Sequence, residues 1–149
     1  MIGILMGTVH DSPKNILAVK SINKLREAGV ESCLFCDVVQ RNFSVPVETN
    51  VLQKAQAFNF NGPVITHDLA IAQELNHMVY AKSRYVYLYD LDWMLIPKLQ
   101  FGHIRNTLLR EDIEIIARSD SHYKLISGLL KKPKHIMKYW DVNVLKELD

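Results

Sequence analysis

Asp90-Leu91-Asp92 follows directly on the run Tyr85-Val86-Tyr87-Leu88-Tyr89, and two carboxylates two residues apart at the end of a strand can share one hard divalent cation. Asp90 and Asp92 are therefore candidate metal ligands, with Asp90 also a candidate catalytic carboxylate. Acidic residues at strand ends serve as ordinary helix and loop caps as well. A second constellation, Gly7-Thr8-Val9-His10-Asp11-Ser12, joins an apolar run to a helix start. Its free backbone N–H groups could hold an anion or a sugar hydroxyl, with Gly7, Thr8 and Asp11 as binding residues and His10 as a general base. Capping by Asp11 or Ser12 accounts for the same residues equally well. Thr66-His67-Asp68, Trp93 and Arg118-Ser119 close the list of strand-end groups that could touch a substrate. Trp93 beside carboxylates suits stacking on a sugar ring, and it suits packing too. His10, His67 and His103 could meet at one edge, whereas His77, His122 and His135 fall inside helical or strand patterns.

Absent motifs narrow the chemistry. There is no G-x-G-x-x-G dinucleotide fingerprint, no phosphate-binding P-loop, no G-x-S-x-G elbow and no H-E-x-x-H. Cys33 and Cys36 have C-x-x-C spacing but sit in the apolar run Val30 to Cys36, which favours buried thiols over redox or metal chemistry. The formal charge of +2 gives no general argument for nucleic acid, although Lys131, Lys132, Lys134 and Lys138 gather positive charge locally. No secretory leader opens the sequence, and no apolar stretch approaches the roughly 20 residues of a membrane span. A cytoplasmic protein with reduced cysteines is expected.

The elements that would position these groups alternate. At 149 residues and 48% hydrophobic, the chain suffices for one substantial core, so residues 1–149 are expected to form a single domain. Six strands are predicted: Ile2–Met6, Val30–Cys36, Pro63–Thr66, Arg84–Tyr89, Ile113–Ala117 and Lys134–Lys138. Helices are predicted after Asp11-Ser12-Pro13 up to Gly29, over Glu48–Ala57, Leu69–His77, around Phe101–Arg110, over Asp120–Leu130, and as a terminal turn or helix from Trp140 to Leu148. Asp68 is a candidate cap for the third of these, and a loop containing Pro97 precedes the fourth. Such alternation specifies an α/β, three-layer, doubly wound parallel sheet, with the strand order 3-2-1-4-5-6 favoured by right-handed crossovers. Ligands of such sheets bind outside the carboxyl ends of the strands.

In order and separation, four segments resemble the N-terminal, acceptor-side Rossmann-like domain of GT-B glycosyltransferases. They are Met1-Ile2-Gly3-Ile4-Leu5-Met6-Gly7, Leu25-Arg26-Glu27-Ala28-Gly29-Val30-Glu31-Ser32-Cys33-Leu34, Tyr87-Leu88-Tyr89-Asp90-Leu91-Asp92-Trp93 and Ile115-Ile116-Ala117-Arg118-Ser119-Asp120-Ser121-His122-Tyr123. The resemblance implies sugar transfer from a nucleotide-sugar donor to a hydroxyl acceptor. Gly7 and His10 would face the cleft, Asp90 and Trp93 would approach the acceptor, and Arg118-Ser119 would line the same edge. It implies no cofactor, and a divalent metal at Asp90-Leu91-Asp92 would depart from the family's usual pattern. The donor-binding half lies beyond the segments matched, so a second chain or protomer would complete the site. The alternative is a non-catalytic interaction or ligand-binding domain of the same shape. A phosphoryl-transfer regulator fits less well, since it would need an acidic pair after the first strand and a lysine after the fifth.

Overall fold

The computed structural model describes residues 1–94 and 100–148; the expected loop with Pro97 lies outside the described residues. In chain order the strands and α-helices are β1 (Ile2–Leu5), β2 (Thr8–Val9), α1 (Pro13–Glu27), β3 (Ser32–Cys36), β4 (Val38–Val39), β5 (Asn50–Gln53), β6 (Pro63–Thr66), β7 (Ser83–Leu88), α2 (Phe101–Leu108), β8 (Glu114–Ala117), α3 (Asp120–Leu129), β9 (His135–Ile136) and α4 (Val142–Glu147). Short 3-10 helices cover Lys54–Asn59, Ala72–His77, Asp92–Met94 and Lys138–Trp140.

The first crossover shows how local sequence sets these boundaries. Ser12 takes an extended backbone and its Oγ accepts from the Asn15 N–H, while Pro13 supplies a preset φ at the first helical position. Ala18, Val19, Ile22 and Leu25 then recur on one buried face. Gly29 ends α1 at φ 76°, with its N–H donating to Arg26 O and the Val30 N–H donating to Leu25 O. A side chain at that left-handed position would be strained, which is why the helix stops there.

All seven main-sheet strands run parallel, in the order β5-β3-β1-β6-β7-β8-β9. This α/β, Rossmann-like arrangement differs from the expected order 3-2-1-4-5-6, in which the Pro63 strand counted as third and lay outside the Cys33 strand. Instead β6 pairs with β1 on its other side, Gly3 opposite Val64. The outer place is taken by β5, where a helix over Glu48–Ala57 was expected; Cys33 pairs with Asn50 and Phe35 with Leu52. β5 is a largely exposed edge strand, so it has no buried face to impose a two-residue alternation. The helix expected over Leu69–His77 is only the 3-10 turn Ala72–His77, and Asp68 does not cap it.

Two apolar layers cover the sheet. On one face Ile2, Ile4, Leu34, Ile65, Tyr85 and Tyr87 meet α1, Trp140, Leu145 of α4 and Leu148 just past its end. On the other, Leu5, Phe35, Val64, Val86 and Ile115 meet the 54–59 and 72–77 turns, α2 and α3. Gly3 interrupts the first apolar run because a Cβ there would come within 2.8 Å of the Phe35 ring and 3.0 Å of Phe60. Cys36 belongs to the first layer and Cys33 to the second, so the C-x-x-C thiols point away from each other. Both are free, and burial pushes Cys33 up to about 11 and Cys36 in the same direction. Among the described residues no helix is long and apolar enough to cross a membrane.

Candidate functional site

The chain leaves β1 toward β3 and β5, then returns to build β6, β7, β8 and β9 on the other side of β1. The order therefore reverses between β1 and β6, and the crevice outside their carboxyl ends is where a doubly wound sheet holds a ligand. Gly7, Thr8, His10, Asp11, His67 and Asp68 all follow these two strands. The loop after β1 is further tied to the loop after β3. There β2 and β4 form a separate two-stranded parallel ladder, and the Asp37 and Gln40 N–H groups donate to Gly7 O and Val9 O.

Asn15 organises the crevice. It sits in the first turns of α1 on the buried stripe, 3% exposed, where its Nδ2 donates to Thr8 O (3.3 Å) and His10 O (3.1 Å). Those two carbonyls fix the amide orientation, so Oδ1 faces His67 Nε2 at 2.8 Å and accepts its proton. His67 is thereby the Nε2–H tautomer, and its Nδ1 is a buried acceptor with no hydrogen-bond partner. Burial, followed by the charges of Lys14 and His10, pushes His67 down to about 3. It is a neutral, packed imidazole, edge-on to Trp140 with ring centres 5.4 Å apart, and cannot act as a proton-carrying cation at neutral pH.

His10 is exposed. Its Nδ1 lies 3.2 Å from Thr8 O and 3.3 Å from Asn15 Nδ2. An imidazole with its proton on Nδ1 would donate it to Thr8 O. In that tautomer Nε2 of this exposed residue keeps a lone pair, the form a general base requires. Asp68 is held by the backbone: Oδ2 accepts from the Gly7 N–H (3.2 Å) and Oδ1 from the Ala70 N–H (3.1 Å). Gly7 thus gives its N–H to a carboxylate rather than leaving it for an anion. Asp11 is similarly engaged, its Oδ1 accepting from both the backbone and the hydroxyl of Ser44 at 2.9 Å.

Farther along the edge the groups are ionic. Asp90 pairs with Arg118 at 2.9 Å, the guanidinium lying 5.2 Å from the Tyr89 ring centre and its Nη2 3.4 Å from His122 Nε2. Asp92 instead binds Lys14 of α1 at 2.5 Å. The two carboxylates of the D-x-D therefore face different cations. Among the described residues no three His, Cys, Asp or Glu side chains are grouped to hold a metal ion. Ser119 caps α3 through the His122 N–H and sits 3.0 Å from the Ser121 hydroxyl. Trp93 packs beside Phe101, ring centres 5.3 Å apart, against the second apolar layer.

Of the expected histidine trio, His10 and His67 share Asn15, while His103 lies on α2 in a separate polar cleft with Gln73, Gln100 and Thr107. His122 lies on α3, in keeping with its helical pattern, and its Nε2 comes within 3.4 Å of Arg118 Nη2 at the edge. Asn15, Lys14, Tyr89 and Trp140 were not singled out as site residues. For Asn15 a signal existed: it is a polar residue on the core-facing stripe of a helix. No known protein family, curated protein or solved structure matches the chain.

Proposed function

We propose that this Rossmann-like domain takes part in sugar transfer from a nucleotide-sugar donor to a hydroxyl acceptor. The observation that carries the reading is His10, an exposed imidazole at the strand-order reversal whose Nδ1 lies 3.2 Å from Thr8 O. In this reading Nε2 accepts the acceptor's hydroxyl proton as its oxygen attacks the sugar carbon and the nucleoside diphosphate leaves. Thr8 and Arg118-Ser119 line the acceptor side. The donor's phosphates would be met by a second chain or protomer, because the nearest cations, Lys14 and Arg118, are each paired with an aspartate of this chain.

One observation favours a second reading, a non-catalytic binding domain: Asp90, Asp92, Asp68 and Asp11 are all engaged by internal partners. Calorimetric titration with a panel of nucleotide sugars and free nucleotides, with and without manganese, separates the two. Saturable binding of one donor that His10→Ala or Asp90→Asn abolishes supports transfer. Absence of binding and of turnover, with a protein partner captured at the same edge, replaces it with the binding-domain reading.

A further inference from the structure

Charge and exposed apolar surface coincide in one region away from the crevice. Residues 118–139 hold six of the 18 Lys and Arg residues and one of the 16 Asp and Glu residues. This stretch therefore carries a formal +5, and the remaining 127 residues −3. It also contains Leu125 (44% exposed), Leu129 (49%), Ile136 (38%) and Tyr139 (57%).

These groups share a surface. On α3 the exposed positions Ser121, Lys124, Leu125, Gly128 and Leu129 recur every three or four residues, and Lys132 continues the stripe just past the helix end. Ile126, on the opposite side, packs into the second apolar layer. In β9, Ile136 is paired with Ala117, which belongs to that same layer, so Ile136 emerges on the face that α3 covers and at the open edge of the sheet. Lys124 and Lys132 have no ion-pair partner among the described residues, whereas Lys134 pairs with Glu114 at 3.6 Å and lies 5.9 Å from the ring centre of Tyr85, a residue of the first layer.

We propose that the α3–β9 face docks on an anionic lipid surface, Leu125, Leu129 and Ile136 entering the interfacial layer while Lys124 and Lys132 meet the headgroup phosphates. Lys124 and Lys132, unpaired and interleaved with exposed aliphatic side chains, match both layers of such a surface. The long lysine stems let the ammonium groups stay among headgroups as the leucines sink. A nucleic-acid backbone would satisfy the lysines but leave three aliphatic side chains without a partner, and lysine is disfavoured at the centre of protein interfaces. This surface association needs no spanning helix and does not rest on the sugar-transfer reading.

Co-sedimentation of the full chain with vesicles tests it. Binding is expected to phosphatidylcholine vesicles containing phosphatidylglycerol, weakening with salt, and not to phosphatidylcholine alone. Lys124→Glu combined with Lys132→Glu should lower binding about tenfold. Leu125→Ser combined with Leu129→Ser should lower it several-fold even at low salt; both positions are exposed, and circular dichroism and the urea midpoint check that each variant is folded. Equal binding to both vesicle types, or none, overturns the proposal. So does oligonucleotide binding that the serine variant leaves unchanged while vesicles fail to bind, or a concentration-dependent dimer that the serine variant dissociates.

Discussion

The two ends of the carboxyl edge solve the same problem differently. At the β1/β6 crevice, where His67 is only 3% exposed, the buried imidazole is neutral and tied to an amide hub. At the β7/β8 end the Asp90 and Arg118 side chains are 40% and 34% exposed, and they meet as ions. Desolvation explains the division: a charge without water must neutralise, whereas a half-exposed pair keeps its hydration. Lys14–Asp92 stands between, its side chains 23% and 11% exposed. The neutral end is consequently rigid and sensitive to any lost atom, and the ionic end adjustable and sensitive to salt.

Trp140→Ala should break this contrast most severely. The indole is fully buried and edge-on to both His67 and Tyr87, so its removal is expected to cost about 3–5 kcal/mol in urea denaturation and to expose His67 to water. Asn15→Leu would leave the His67 Nε2–H and the Thr8 and His10 carbonyls short of partners, at about 2–3 kcal/mol in the same assay.

Acid sharpens the contrast without mutation. His67 falls from 6.5 in the unfolded chain to about 3 in the folded one, so its contribution is fully present above 6.5. As pH drops through that window the unfolded chain takes up a proton that the folded chain refuses, and stability declines by about 1.4 kcal/mol per pH unit. The difference between wild type and His67→Gln across a pH series of urea midpoints should show this slope.

Effects at the ionic end should be smaller. Asp92→Asn is expected to cost about 1–2 kcal/mol, since Lys14 is left partly buried without its counter-charge. Asp90→Asn should change stability by less than about 1 kcal/mol and the change should shrink in high salt, because water already screens that pair.

Much of this positioning was legible where burial was strong. The apolar runs ending at Met6, Cys36, Thr66, Tyr89 and Ala117 marked strands buried on both faces, and parallel pairing places all their ends on one edge. β5 was hidden because an exposed edge strand is held by backbone bonds that leave little mark on side-chain pattern. Missing it displaced the strand count and hence the expected order. The site was legible as a set of positions but not as a set of partners. Which cation each of Asp90 and Asp92 chooses depends on α1 lying over one face of the sheet, a tertiary outcome that D-x-D spacing does not encode. Trp140 was hidden for a related reason: Tyr139 and Trp140 both take positive φ, 50° and 60°, a backbone reversal that non-glycine residues rarely signal.

That reversal has a consequence for how the protein comes into being. His67, Asn15 and Tyr87 are translated long before Trp140, the residue that covers them, and the segment that delivers it follows the last strand of the sheet. Until Trp140 is in place, the side of the His67 ring that its indole meets lacks that cover. Chain order thus makes the covering of this crevice by Trp140 one of the last contacts that synthesis can supply.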